Sequence, residues 1–137
     1  MNFDERNAIF KQLRDAEDKL LSSKGLDYAG NEEALNNFKA SAARYGATKY
    51  LVWSIYAGKH IDAIFNAVKA NPSGPRRNSE SLLESIRDAR NYLGLLACLL
   101  IEDGLEGGKL TVKIKGVPTE VKPYEAIPLD NINDVTP

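Results

Sequence analysis

The chain has 137 residues, a formal net charge of −1 and 27% charged residues. This length fits one domain with a core of its own. The balanced charge gives no broad basic field, so we expect neither a nucleic acid polymer nor a membrane as partner, and an anionic ligand must meet local lysines and arginines. No signal-peptide pattern opens the chain and its apolar runs are short, which predicts a soluble intracellular protein.

Two helices are predicted in the first third of the chain. Apolar residues recur at three- and four-residue steps over residues 4–23, the stripe of an amphipathic helix, and Gly25 is predicted to end it. The segment KGLDYAGN, residues 24–31, is predicted to be a loop. A short second helix then has Asn31 as its predicted N-cap and ends at Gly46.

Two longer helices are predicted in the middle of the chain. Thr48 can cap the third helix, which the segment NPSGPRRN ends. Ser79 or Ser81 can cap the fourth helix, and Ser81 with Glu84 has the spacing of a capping box. This helix is predicted to continue to Glu102, before a cluster of glycines.

One side of the fourth helix is predicted to pack against another helix. Its apolar positions follow a four-three spacing at Leu82, Ile86, Ala89, Leu93, Leu96 and Leu100. Beyond Asn91 the helix is apolar all round, so we expect this half, including Cys98, to be buried. A single chain would not cover it, which predicts a homodimer or a homotetramer.

The residue pattern changes after the glycine cluster. The run KLTVKIK, residues 109–115, alternates apolar and polar residues and predicts a strand, with a weaker partner strand at residues 119–122. Residues 128–137 read as an irregular tail. The predicted fold is mainly α, with four helices within residues 1–103 and a strand or hairpin within residues 104–137, all in one domain.

Four oxygen-bearing side chains share one face of the predicted fourth helix, those of Glu80, Glu84, Asp88 and Asn91, at about 100° per residue. Acids opposite an apolar stripe commonly form a solvated face and favour the helix dipole. Alternatively they hold Mg²⁺, because carboxylates one turn apart repel one another unless they share a cation. Both interpretations stay open from the residues alone.

Cations and aromatic residues offer sites for an anionic ligand with a ring. Arg76 and Arg77 precede the fourth helix, where guanidinium groups and a helix N-terminus favour phosphate, although paired loop arginines also serve solubility. The third helix carries Trp53, Tyr56, Lys59 and His60, which could stack a base and hold a phosphate, or belong to the core or an interface. With one histidine and one cysteine in the chain, a zinc site has no support.

Four segments together resemble a group of small phage proteins. They are K-x-x-D-Y at residues 24–28, N-N-F at 36–38, W-x-x-Y-x-x-K-H at 53–60 and E-S-x-x-E-S-x-x-D-x-x-N-Y at 80–92. Over residues 5–103 the chain resembles the nucleotide-modification-associated and MazG-like group of all-α proteins. The resemblance implies a four-helix MazG-like bundle, an oligomer, a nucleotide ligand with Mg²⁺ as its cofactor, and the cytoplasm of an infected bacterial host.

The resemblance also implies roles for individual residues. Glu84 and Asp88 match the acidic pair of the later helix, and Glu80 is a third candidate metal ligand. The earlier acidic pair of the group is incomplete, since Asn36 and Asn37 follow Glu32 and Glu33, and Asp27 or Glu33 would have to substitute. The implied nucleotide-binding residues are Lys24, Asp27, Tyr28, Asn37, Trp53, Tyr56, Lys59, His60, Arg76, Arg77 and Asn91.

Three functions remain open at this point. The first is a Mg²⁺-dependent nucleoside triphosphate pyrophosphohydrolase, in which the three acids hold the metal. The second is a non-catalytic anti-defence protein that sequesters a cyclic oligonucleotide immune signal, which the incomplete ligand set favours. The third is a structural oligomer whose acidic face is only solvated surface.

Overall fold

The structure of the chain is a computed structural model. It describes residues 1–29, 34–105 and 110–121, with the side chains of residues 1–22, 34–105 and 114–120. Four helices and one hairpin follow in chain order: α1 (Phe3–Ala29), α2 (Asn36–Tyr45), α3 (Lys49–Ala70), α4 (Leu82–Glu102), β1 (Leu110–Ile114) and β2 (Val117–Val121). The prediction of a mainly α fold with a C-terminal hairpin is confirmed.

α1 is longer than predicted at its C-terminal end. Asn2 and Glu5 start it with a reciprocal pair of hydrogen bonds, each side chain accepting from the other residue's backbone N–H. The helix passes Gly25 and ends at Ala29, so the predicted loop is wrong for the first six of its residues. One internal glycine costs a helix only about 1 kcal/mol, which a long helix tolerates.

α2 and α3 end and begin as their sequence predicts. Gly46 closes α2 in the left-handed conformation, with a φ of 62°. The Thr48 side chain accepts a hydrogen bond from the Leu51 backbone N–H at 3.1 Å and so caps α3. The predicted N-cap of α2, Asn31, lies outside the described residues, and Leu35 precedes the helix without a side-chain cap.

α4 begins with the predicted capping box. The Leu83 backbone N–H donates to Ser81 Oγ at 3.2 Å, and the Ser81 backbone N–H donates to Glu84 Oε2 at 3.2 Å. Ser81 is therefore the N-cap, and the helix ends at Glu102 as expected. Glu80 precedes the helix, so the prediction that Glu80 belongs to an acidic helical face is wrong.

The face of α4 that packs inward differs from the predicted one. Ser85 is fully buried and Ala89 is buried, whereas Leu93 of the predicted apolar face is 52% exposed. At about 100° per residue, the buried face is turned by roughly 60° toward the side that carries Asp88. The helix beyond Asn91 is also not buried all round, because Cys98 is exposed. The prediction of a buried Cys98 is wrong.

The hairpin pairs β1 with β2 in antiparallel register, from Leu110 opposite Val121 to Ile114 opposite Val117. Lys115 and Gly116 form its turn with φ values of 50° and 79°, as a two-residue turn of type I′ requires. The second strand begins two residues earlier than predicted and contains Pro118. A proline is tolerated there because both strands of a two-stranded sheet are edges. Residues 122–137, including the predicted tail, lie outside the described residues.

The chain divides into two compact units, Met1–Leu93 and Gly94–Pro137, with the division inside α4. In the first unit α2 lies against α1 and α3, and Phe38 is its fully buried centre. Small residues are also buried on the other helices, among them Ala57, Ala67 and Ala89. None of the helices in the described residues combines the length and the apolar character needed to cross a membrane.

Candidate functional site

Aromatic side chains from three helices meet around Phe38 of α2. The Phe38 ring lies 6.1 Å from the Tyr56 ring and 6.4 Å from the Tyr92 ring, the latter edge-on at 75°. The Tyr56 hydroxyl is 3.0 Å from Ser41 Oγ, which ties α3 to α2. α2, α3 and α4 thus each contribute one ring to a shared contact.

α3 and α4 are joined by two further side chains. Trp53 Nε1 donates a hydrogen bond to the Tyr92 carbonyl oxygen at 2.6 Å. The His60 ring stacks on the Tyr92 ring, with centroids 5.3 Å apart and 25° between the planes. We call Phe38, Trp53, Tyr56, His60 and Tyr92 the aromatic cluster.

A histidine and a carboxylate pair at the edge of the aromatic cluster. His60 Nδ1 lies 3.6 Å from Asp88 Oδ2, and the two side chains are 21% and 18% exposed. The pair is therefore largely shielded but still reachable from solvent. A carboxylate beside Nδ1 favours a proton on that nitrogen, which leaves Nε2 able to accept a hydrogen bond from a ligand.

The three candidate metal ligands each have a different partner. Arg77 binds Glu80, the Ser81 backbone N–H binds Glu84, and His60 pairs with Asp88. No group of three potential metal-ligating side chains converges within residues 1–22, 34–105 and 114–120. The acids of the motif are thus held by separate contacts.

The two loop arginines also differ from one another. Arg77 Nη1 contacts both Glu80 Oε1 and the hydroxyl of the buried Ser85, which fixes the segment before α4 onto the first turns of the helix. Arg76 is exposed, and its side chain makes no hydrogen bond or ion pair with the described residues. Of the two candidate phosphate ligands, Arg76 is the one whose charge is not already neutralised.

The remaining predicted nucleotide-binding residues differ in solvent exposure. Lys59 precedes His60 and is exposed, whereas Asn37 and Asn91 are half-buried. Lys24, Asp27 and Tyr28 are on the helical backbone of α1 rather than in a loop, and their side chains lie outside the described residues. Glu33 lies outside them altogether.

Arg87 was not among the sequence candidates, although it stands next to Asp88. Its side chain is half-buried, and its Nε is buried without a hydrogen-bond partner. A single arginine within a helix gives no sequence signal, because its burial depends on which way the helix turns.

The arrangement offers aromatic faces, a paired histidine and nearby cations. Such groups can stack a heterocyclic base, accept or donate hydrogen bonds on its edge and attract an anionic group. Comparison of the chain with protein-family models, with curated proteins and with solved structures gave no match.

Proposed function

We propose that the chain binds a phosphate-bearing nucleotide and sequesters it without cleaving it. The observation that carries the proposal is the meeting of three of the four resemblance segments in the aromatic cluster. N-N-F contributes Phe38, the third-helix segment contributes Trp53, Tyr56 and His60, and the α4 segment contributes Tyr92. Segments that are far apart in sequence but in contact in the fold can together form one ligand-binding site.

Separate engagement of the three acids supports binding over Mg²⁺-dependent hydrolysis. A metal-dependent pyrophosphohydrolase needs carboxylates free to converge on a cation and to position a water at phosphorus. Here Glu84 serves the capping box and Glu80 neutralises Arg77. Mg²⁺ therefore has no assigned role in the proposal, and release of cleavage products would favour the hydrolase instead.

A cyclic oligonucleotide is the ligand class we favour. Such ligands present bases for stacking and a fixed number of phosphates, and a protein that withholds one from its receptor needs affinity only. The anti-defence role, the phage origin and the cytoplasm of the infected host belong to the same proposal and rest on the four resemblance segments.

The test is incubation of the purified chain with linear and cyclic nucleotides, with and without Mg²⁺, followed by mass spectrometry of the free and the bound fractions. We expect one nucleotide class to be depleted from the free fraction and to return intact when the protein is denatured. Neither depletion nor products across the panel would contradict nucleotide binding and would leave the structural oligomer as the better hypothesis.

Substitution at the aromatic cluster links the binding to this site. His60→Ala removes the ring stacked on Tyr92 and should weaken binding about tenfold or more, since stacking on one base contributes about 1–3 kcal/mol. The matched control is Tyr45→Ala, because Tyr45 is an aromatic residue of α2 that is 73% exposed. Equal affinity of the two variants would place the ligand elsewhere.

We propose further that the chain forms a homodimer or a homotetramer through the outer face of α3. Leu51, Ile55 and Phe65 are 53%, 62% and 67% exposed and lie on the side of α3 opposite His60. Gly58 is at the centre of this face, with open space where a side chain would stand. We call these four residues the outer face of α3.

A further inference from the structure

Three half-buried arginines lie near the first half of α4, and two of them are neutralised within the chain. Arg77 binds Glu80 and Ser85, and Arg90 Nε lies 3.0 Å from Glu17 Oε1. The Arg87 side chain has no hydrogen bond and no ion pair to any residue the structure describes, although it is half-buried. Of these three arginines, Arg87 is thus the one whose side chain has no partner among the described residues.

The unpartnered Nε makes this placement unfavourable for the chain alone. A buried N–H without an acceptor loses its bonds to water and gains nothing in return. Such groups in folded proteins call for an explanation, and an absent anionic ligand is one. Stability alone does not account for an arginine here, since an apolar side chain of similar length would fill the same space without the penalty.

A second polar side chain accompanies Arg87. Asn91 lies one helical turn further on the same face of α4 and is half-buried, and its carboxamide makes no hydrogen bond within the described part of the chain. Both residues flank Asp88, whose charge is met by His60. The acid one turn before, Glu84, accepts from the Ser81 backbone N–H. A guanidinium and a carboxamide are therefore free to donate together on one face of α4.

We propose that Arg87 and Asn91 form the subsite for a phosphate group of the ligand. A guanidinium donates two parallel hydrogen bonds to an oxyanion, and the carboxamide N–H₂ adds a third. This inference rests on the proposed nucleotide binding for its biological ligand, but the anion subsite is testable without a nucleotide.

The experiment is calorimetric titration of the full chain with inorganic pyrophosphate. We expect the wild-type chain to bind it, Arg87→Met to bind about tenfold to a hundredfold more weakly, and Arg87→Lys to fall between them, because lysine keeps the charge but loses the fork. Arg14→Met is the matched control, since Arg14 is exposed and belongs to α1 rather than to α4. It should bind as the wild type does.

Thermal unfolding separates this role from a structural one. Arg87→Met removes a buried donor without a partner, so its Tm should equal or exceed the wild-type Tm. A Tm lower by more than about 5 °C would mean that Arg87 stabilises the fold, and would overturn the inference. Unchanged pyrophosphate affinity in Arg87→Met, or no pyrophosphate binding by the wild type, would overturn it as well.

The outcomes distinguish this inference from the proposed function. If the wild type binds nucleotides and Arg87→Met binds them equally well, the subsite is wrong and nucleotide binding stands. If the wild type binds pyrophosphate through Arg87 but no nucleotide, the subsite stands and the nucleotide proposal falls. Binding of neither ligand would contradict both.

Discussion

A carboxylate that lies inside a helical layer needs a cation nearby, and Glu17 of α1 finds Arg90 of α4. The Glu17 side chain is 11% exposed and that of Arg90 is 34% exposed. The Arg90 Nε–H does not point at Glu17 Oε1, so their 3.0 Å contact is an ion pair without a hydrogen bond. It connects the first and the last helix of the Met1–Leu93 unit.

Removal of Arg90 should therefore destabilise the chain. Breaking a fully buried pair costs about 3–5 kcal/mol, and the partial exposure of Arg90 lowers our expectation for Arg90→Ala to about 1–3 kcal/mol. Urea unfolding at pH 7 measures it. The control is Lys11→Ala, which breaks the exposed pair of Lys11 with Asp15 on α1 and should change the free energy of unfolding by less than about 1 kcal/mol.

A double substitution tests the cause of that loss. Glu17→Met with Arg90→Met removes both charges and keeps side-chain length, so the free energy of unfolding should return to near or above the wild-type value. If the double variant were as unstable as Arg90→Ala, packing of the arginine stem rather than its charge would stabilise this contact.

Single residues of the site differ in how far the sequence could predict them. Trp53, Tyr56 and His60 were named as candidates because their residue types and their place on one predicted helix are local properties, and the structure gives each a contact toward α2 or α4. Arg87 could not be found in this way. The role proposed for Arg87 depends on the burial of its Nε. That burial depends on how α4 packs against its neighbours, which the residue pattern does not show.

At the scale of elements, Arg77 connects the segment before α4 to the helix itself. Ser85 is fully buried, and its hydroxyl depends on Arg77 and Glu80 for hydrogen bonds. The adjacent Arg76 has no such contact among the described residues, so the two arginines have unequal structural roles despite identical chemistry.

Substitution of each arginine should expose this difference. Arg77→Ala leaves the Ser85 hydroxyl with a single weak contact, and we expect about 1–2 kcal/mol less stability and faster hydrogen exchange over residues 71–81. Arg76→Ala, the matched control, should change neither quantity. Equal exchange rates in the two variants would show that Arg77 does not hold this segment.

Helix boundaries were predictable where a cap defines them. The caps are Thr48, Ser81 and Gly46. Each acts within one turn of its own helix, so its capping role can be predicted from the sequence. The end of α1 and the inward face of α4 were not predicted. A glycine permits a helix end without enforcing one, and Ser85 is buried despite its hydroxyl because Arg77 and Glu80 satisfy it.

At the scale of the whole molecule, the outer face of α3 is an apolar surface that residues 1–29, 34–105 and 110–121 leave uncovered. Leu51, Ile55 and Phe65 together expose roughly 300–400 Å² of apolar side chain, nearly half of the roughly 800 Å² that one partner gives to a standard interface. Glycine inside a helix is unfavourable unless close approach of a neighbour repays it. Gly58 at the centre of this face allows another helix to come near.

The spacing on this face suits an antiparallel pair of α3 helices. A two-fold axis near residue 60 would set Ile55 opposite the partner's Phe65 and Gly58 opposite the partner's Asp62, and the reverse contacts would follow by symmetry. Near the axis, Gly58 has no side chain and so leaves room for the partner's Asp62. Polar residues that flank the face would complete the interface.

Phe65→Glu is the substitution that tests this assembly. It would set a carboxylate into the apolar contact twice, once from each copy, so dissociation should become easier by about a hundredfold or more. Light scattering coupled to size exclusion measures the mass, which we expect to be that of a dimer or a tetramer for the wild type and lower for the variant. Leu83→Glu is the control, because Leu83 is 61% exposed on α4 and lies away from this face. A wild-type monomer, or a Phe65→Glu variant of unchanged mass, would contradict assembly through α3.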